Sequence, residues 1–170
     1  MVDELINSYD IYEDGERYLG TASVTLPTLN NVTQTVSGAG IAGNSEVIAV
    51  GHPDTMTMTV NYRVTTPESI SLSAPRRHTI ELILSQQAED PVSNEIVPRQ
   101  EKHTMVVLPK SHNLGTAAPA APSNGSGEYI VRYWATWLGG VKVREIDPLN
   151  FIYEVDGVDY LAPYRAALGR

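Results

Sequence analysis

The side chains with the strongest claim to chemistry are four histidines, His52, His78, His103 and His112, and a scatter of carboxylates. Helical zinc pairs place two histidines four residues apart, and none of these four has that spacing. His103 and His112 border a strand and a loop, where they read as exposed polar residues. Glu81 and Glu101 would make an acid–base pair only in a fold that turned them toward each other, and solvated strand positions are the simpler reading. No G-x-S-x-G elbow occurs. Gly38-Ala39-Gly40-Ile41-Ala42-Gly43 matches the G-x-G-x-x-G pattern of dinucleotide sites, but that motif must open a helix whose first amides meet the pyrophosphate. Asn44-Ser45 and the apolar run 46–50 follow, with Gly51 and Pro53 close behind, so the segment reads as a glycine loop that permits unusual backbone angles or close approach of another chain. Tyr129, Tyr133, Trp134 and Trp137 could stack on bases or sugars. Trp134 and Trp137 fall on opposite faces of a strand, however, and favour core or interface packing. Asn31-Val32-Thr33 and Asn124-Gly125-Ser126 are glycosylation sequons in form only. These tests leave no catalytic, cofactor-binding or metal site to expect.

The elements that would position these residues are mostly strands. Segments 9–13 and 17–26 flank Glu13-Asp14-Gly15-Glu16, whose Asp-Gly step predicts a hairpin. Residues 29–37 are rich in Thr and Val. The clearest strand spans 55–65: Met56, Met58, Val60, Tyr62 and Val64 alternate with Thr55, Thr57, Thr59, Asn61, Arg63 and Thr65, so one face is core and the other polar. Thr66 as N-cap, Pro67 at the first helical position and Glu68 in the first turn predict a short helix ending before Pro75. Further strands are expected at 78–87, 100–108, 129–138, 141–147 and 150–155, with turns at Gly139-Gly140 and Asp156-Gly157. The Ala-, Pro-, Gly- and Ser-rich segment 111–127 reads as a flexible exposed loop. A last helix is expected over 160–168, with Leu161, Tyr164 and Leu168 near one face and Gly169 ending it. The fold expected is mainly β in one domain, 1–170: an antiparallel sandwich or partly open barrel with one or two short peripheral helices.

Composition narrows the function classes. A net charge of −8 argues against gripping nucleic acid through its phosphates. Cysteine is absent, which excludes disulfides and thiolate metal sites. No apolar run approaches the roughly 20 residues that cross a bilayer, and the start, MVDELINSYD, lacks the basic and apolar character of a signal peptide, so the chain is expected in the cytoplasm when made. Long strands with polar faces have edges that need covering, and a neighbouring subunit could cover them.

Two stretches carry a family resemblance, YDIYEDGERYLGTASVTLPTLNNVTQTVSGAGIAG near the amino terminus and VREIDPLNFIYEVDGVDYLAPYRAALG at the carboxy-terminal end. They resemble the major tail tube proteins of contractile-tailed phages and related phage-tail-like bacteriocins. The matching pieces are the hairpin running to Ser23-Val24-Thr25-Leu26-Pro27, the Gly38-Ala39-Gly40 loop, Glu145-Ile146-Asp147, Asn150, and the Asp156-Gly157-Val158-Asp159 turn into the last helix. The resemblance implies a non-enzymatic subunit forming hexameric rings, stacked into a hollow tube whose inner β-barrel is shared between subunits. It implies a surrounding contractile sheath, a tape-measure protein, baseplate and tail-terminator partners, and DNA passing through the lumen unbound if the particle is a phage. The subunit itself would not bind membrane, and it would assemble in the bacterial host cytoplasm into a virion tail or bacteriocin particle. Carried onto this chain, the glycine loop (Gly38, Gly40, Gly43) and the terminal arm 1–8 would touch neighbouring subunits or rings. Strands 55–65 and about 94–108 would line the lumen, with Thr55, Thr57, Thr59, Asn61 and Arg63 facing it, while Met56, Met58, Val60, Tyr62, Trp134 and Trp137 pack in core or interface. An acidic lumen would let a polyanion pass. Other readings are a monomeric sandwich that binds carbohydrate or peptide, the ring protein of a bacterial contractile secretion system, and, remotely, a carboxylate or histidine hydrolase.

Overall fold

The computed structural model describes residues 2–15, 17–18 and 22–170. Among these residues the chain forms β1 (Val2–Glu13), β2 (Arg17–Tyr18), β3 (Ala22–Thr25), β4 (Asn31–Val36), β5 (Ser45–Pro53), β6 (Met56–Tyr62), α1 (Pro67–Ser71), β7 (His78–Glu89), β8 (Ile96–Asn113), β9 (Gly125–Leu138), β10 (Val141–Asp147), β11 (Ile152–Val155), β12 (Val158–Asp159) and α2 (Ala162–Ala167). All the pairings are antiparallel. The mainly β, sandwich-like fold with two short helices expected from the sequence is therefore present, and the described sheet does not close into a barrel.

The local signals account for several elements. Asp14 and Gly15 both adopt positive φ, and the turn they make pairs Tyr12 with Tyr18 and Glu13 with Arg17. Glu16 of the predicted turn and residues 19–21 of the predicted 17–26 strand lie outside the described residues. The next strand, β3, pairs with β6 instead of extending the hairpin. Thr66 caps α1 reciprocally with Ser69, and Pro67 occupies the first turn. β6 buries Met56, Met58, Val60 and Tyr62, each burial stabilising by about 1.5–3 kcal/mol. Val64 does not continue that face. The strand stops at Tyr62, the Arg63 carbonyl accepts from the amide of Asn124 at 3.2 Å, and Val64 is left 55% exposed.

β9 organises the tertiary structure. One of its edges pairs with β8, while the other is divided, residues 125–131 to β6 and 134–138 to β10. At the division Val107 faces Val131 and Val106 faces Tyr133, so Arg132 is an extra residue, a β-bulge. The bulge reverses the alternation. Gly127, Tyr129 and Val131 are buried before it, Trp134 and Thr136 after it. One apolar cluster results, built from Ile11 of β1, Ile80, Leu82 and Leu84 of β7, Met105 and Val107 of β8, Tyr129, Val131 and Trp134 of β9, Ile146 of β10, Leu72, and the four residues of β6. Because β6 and the β7–β8 pair meet in this cluster, the split sheet folds over on itself around it.

Polar groups inside the core are held in two networks. Glu13, 2% exposed, sits 2.5 Å from His78 Nδ1 and accepts from Arg76 at 3.0 Å, while its second oxygen has no partner. His78 Nε2 lies 2.9 Å from the Ala74 carbonyl, tying the segment after α1 to β1 and β7. Burial pushes the Tyr62 hydroxyl pKa up, and its oxygen lies 3.3 Å from that of Tyr129. The second network centres on His103.

Candidate assembly interface

His103 is 2% exposed, which corrects its reading as a surface residue. The register of β8 places it on the core face beside Trp134 and Thr136, where burial costs it solvent but supplies partners. The indole N–H of Trp134 can only donate, and it donates to Nδ1 at 3.1 Å, so Nε2 carries the hydrogen and donates to Glu101 at 2.7 Å. Burial, against the pull of Glu101, lowers the histidine pKa, and the nearby Arg144 guanidinium adds to the effect. That guanidinium lies 4.0 Å from the Trp134 ring centre. Glu101 also accepts from Gln86, which accepts from Arg99 at 2.8 Å, and Arg99 pairs with Asp3 at 3.2 Å. The network runs from the core across the sheet to β1, and its polar groups serve a structural role. Glu81 faces the other side of the sheet and pairs with Lys102 at 3.2 Å, so it forms no acid–base pair with Glu101. Among the described residues no cluster of three or more His, Asp or Glu is placed to hold a metal ion. Among them, too, no helix is long and apolar enough to cross a membrane.

The glycine segment joins β4 to β5, two antiparallel strands that form a separate sheet. No helix opens inside it, so the geometry of a dinucleotide site is missing. Gly38, Gly40 and Gly43 sit at the hairpin tip with open space around them, and the φ of +92° at Gly40 is one that a side chain resists. The hairpin exposes Val32, Val36, Ile41, Val47, Ile48 and Val50 to solvent. Its root is fixed: Gly51 packs against Leu161, and His52 meets Phe151 edge to face. Leu161 is buried at the start of α2, whereas Tyr164 and Leu168 are exposed along with Tyr160, so the predicted common face of Leu161, Tyr164 and Leu168 is divided. Asp159 secures this corner by accepting from the Leu161 amide at 3.1 Å and from Arg165 at 2.6 Å.

The predicted arm 1–8 is strand over its described residues. Val2–Ser8 pair with β7 along one edge, while Val2, Leu5 and Ile6 stay exposed. On the other edge β1 meets β2 only at Tyr12 and Glu13, which leaves the stretch Val2–Ser8 open among the described residues. The predicted loop 111–127 contracts to 114–124, because 111–113 pair with 126–128 at the ends of β8 and β9 and Gly125 pairs with Tyr62 of β6.

Thr57, Thr59 and Asn61 lie on the outward face of β6, beside Ile130, Glu128 and Ser126 of β9. Thr55 precedes the strand and Arg63 follows it, both exposed. On this side of the sheet Lys110 pairs across strands with Glu128 at 3.2 Å and Lys102 with Glu81, while Arg132 of β9 is exposed there with no ion-pair partner among the described residues. Tyr129 and Trp134 belong to the core, while Tyr133 and Trp137 point to the outward face, Trp137 beneath Lys102 at 5.6 Å. The four aromatic residues thus make no joint stacking platform, and Trp137 is an outward-face residue.

No curated protein matches the chain. The family model described as phage tail tube protein FII matches residues 3–169. With a match over nearly its whole length, on a β-rich fold that leaves strand edges and apolar side chains uncovered, the chain belongs to the phage tail tube family.

Proposed function

We propose that this chain is a non-enzymatic subunit that forms hexameric rings stacked into a hollow tail tube, enclosed by a contractile sheath, for delivery of a genome or puncture of an envelope. The observation that carries this reading is the pair of unfinished surfaces on one copy: the Val2–Ser8 edge, open among the described residues, and the apolar β4–β5 hairpin. An unpaired edge is a liability in a free subunit, and closing several sheets into a shared barrel removes it. The hairpin, rooted on α2, supplies contacts to the next subunit or ring. In this arrangement the outward face bearing Thr57, Thr59 and Asn61 lines the lumen with uncharged polar groups. Its cross-strand ion pairs, with the exposed Arg132 beside them, leave it less acidic than the lining expected from composition. A polyanion then meets no strongly repulsive wall. A tape-measure protein, baseplate and terminator complete the particle.

Negative-stain microscopy of the purified chain tests the proposal, with tubes or rings as the expected result. Replacement of Gly40 by Trp, or deletion of residues 1–8, is expected to reduce polymerisation while circular dichroism remains that of a folded β protein. A wild-type chain that stays monomeric at high concentration would favour the monomeric binding module. Normal tubes from both variants would remove these segments from the contacts.

A further inference from the structure

The outward sides of β7, β8 and β9, walled by the loop after β10, enclose a groove of about 530 Å³. Two arginines line it. Arg77 directly precedes β7, and Arg132 is the bulge residue of β9, the kind of position that re-aims a side chain out of the strand pattern. Both are exposed, and neither guanidinium has a side-chain or backbone partner among the described residues. Most cations of the chain are engaged: Lys102, Lys110, Lys142, Arg76, Arg99 and Arg165 each pair with a carboxylate, and Arg144 lies on Trp134. Arg63 and Arg170 have no carboxylate partner among the described residues, but they do not line the groove. The carboxylate in the lining, Asp147, is 9% exposed, and its two oxygens accept from the Asn150 amide and side chain at 3.1 and 2.6 Å. The charge left facing solvent is positive, and Val106, Leu108 and the 71% exposed Leu149 provide apolar surface beside it.

The opposite end of the same strand pair is its complement. The β7–β8 turn carries Glu89, Asp90 and Glu95 around Val92, which is 90% exposed. The turn is preformed: Asp90 accepts from the Val92 amide at 2.9 Å, and the Asn94 amide donates to the Asp90 carbonyl at 2.8 Å. Register fixes the separation, since Arg77 adjoins the first residue of β7 and Glu89 is the last. Twelve residues at about 3.3 Å each set the two ends about 40 Å apart. They cannot meet within one copy, but they can meet between copies stacked end to end, a heterologous contact that propagates instead of closing. In a chain of net charge −8, contacts between copies otherwise bring acidic surface against acidic surface.

We propose that the Arg77–Arg132 groove receives the acidic β7–β8 turn of a second copy stacked end to end, with Val92 on the apolar floor and Glu89 and Glu95 at the two guanidiniums. This rests on the tube reading above and names a contact within it. The test is charge exchange in the full chain, followed by sedimentation and negative-stain microscopy. Arg132→Glu alone and Glu95→Arg alone are each expected to lower the sedimenting, tube-bearing fraction by about tenfold or more, because each sets like charges together. The double variant is expected to recover tubes, and wild-type assembly to weaken as salt shortens the screening length. Tubes from the wild type and undiminished tubes from both single variants would overturn this contact while leaving the tube reading intact. Loss in both single variants without recovery in the double would overturn the pairing of these ends. A wild type that forms no tubes would overturn the tube reading and this contact with it. Binding of single-stranded oligothymidine that is abolished by Arg132→Glu would assign the groove to phosphate and overturn the proposal.

Discussion

Replacing Gly51 with alanine is expected to loosen the root of the β4–β5 hairpin, by an amount the geometry allows to be divided in two. The backbone at Gly51 has φ +70°, left-handed territory in which a Cβ costs about 1–2 kcal/mol. That Cβ would also stand 2.5 Å from Cγ and 3.0 Å from Cδ1 of Leu161, a side chain 1% exposed and unable to swing into solvent without leaving its pocket. Overpacking of this kind costs about 1–3 kcal/mol, so the substitution is expected to destabilise the subunit by about 2–5 kcal/mol in total. The two contributions separate in a double-mutant cycle with Leu161→Ala, which removes the obstructing carbons. In that background Gly51→Ala is expected to cost only the backbone share, about 1–2 kcal/mol. Urea unfolding of the unassembled subunit, followed by tryptophan fluorescence, supplies the four free energies. Equal costs in the two backgrounds would refute the overlap argument, and a total below about 1 kcal/mol would refute both contributions. If the hairpin root sets the hairpin's direction, the same substitution also reduces tube formation.

Two further predictions concern pH. The neutral His103 ring has a folded-state pKa below the ordinary 6.5, so below that pH the unfolded chain binds the extra proton first and stability falls as pH drops. Urea unfolding at pH 7 and at pH 5 is expected to show a smaller loss for His103→Gln than for the wild type; equal losses would show that the ring does not carry this dependence. For Asp159, burial alone would raise the carboxyl pKa, but hydrogen bonds from Arg165 and from the Leu161 and Tyr153 amides outweigh it and hold it below 3.8. Its contribution is complete above that pH and is lost as pH falls through the lower folded value. Asp159→Asn is expected to cost about 1.5–3 kcal/mol at neutral pH and progressively less in acid, measured as the difference in unfolding free energy from the wild type. A cost that does not change with pH would count against the charged hydrogen bonds.

The parts of this fold legible in the sequence are those settled by neighbouring residues. The alternation Met56, Met58, Val60, Tyr62 marks a strand with one buried face, because side chains leave a strand in strict alternation wherever it lies. Thr66 and Pro67 start α1 because capping needs only groups three residues away, and Asp14-Gly15 and Asp156-Gly157 turn because these residues tolerate positive φ. The family resemblance read from the hairpin, the glycine loop and the carboxy-terminal turn likewise needed no coordinates, and the match over residues 3–169 agrees with it.

Tertiary structure decided what depends on which strand lies alongside. Arg132 became a bulge only because β9 passes from β6 to β10 along one edge, and that one inserted residue moved Trp134 into the core and turned Tyr133 outward. The burial of His103, and the opposite orientations of Glu81 and Glu101, came from the register of β8 against β7 and β9. Among the described residues, the open edge of Val2–Ser8 and the two uncovered arginines of the groove are properties of neighbours present or missing, which no local pattern encodes. Alternation and capping act over a few bonds and can be read along the chain, while register, bulges and edges arise between segments that only folding brings together.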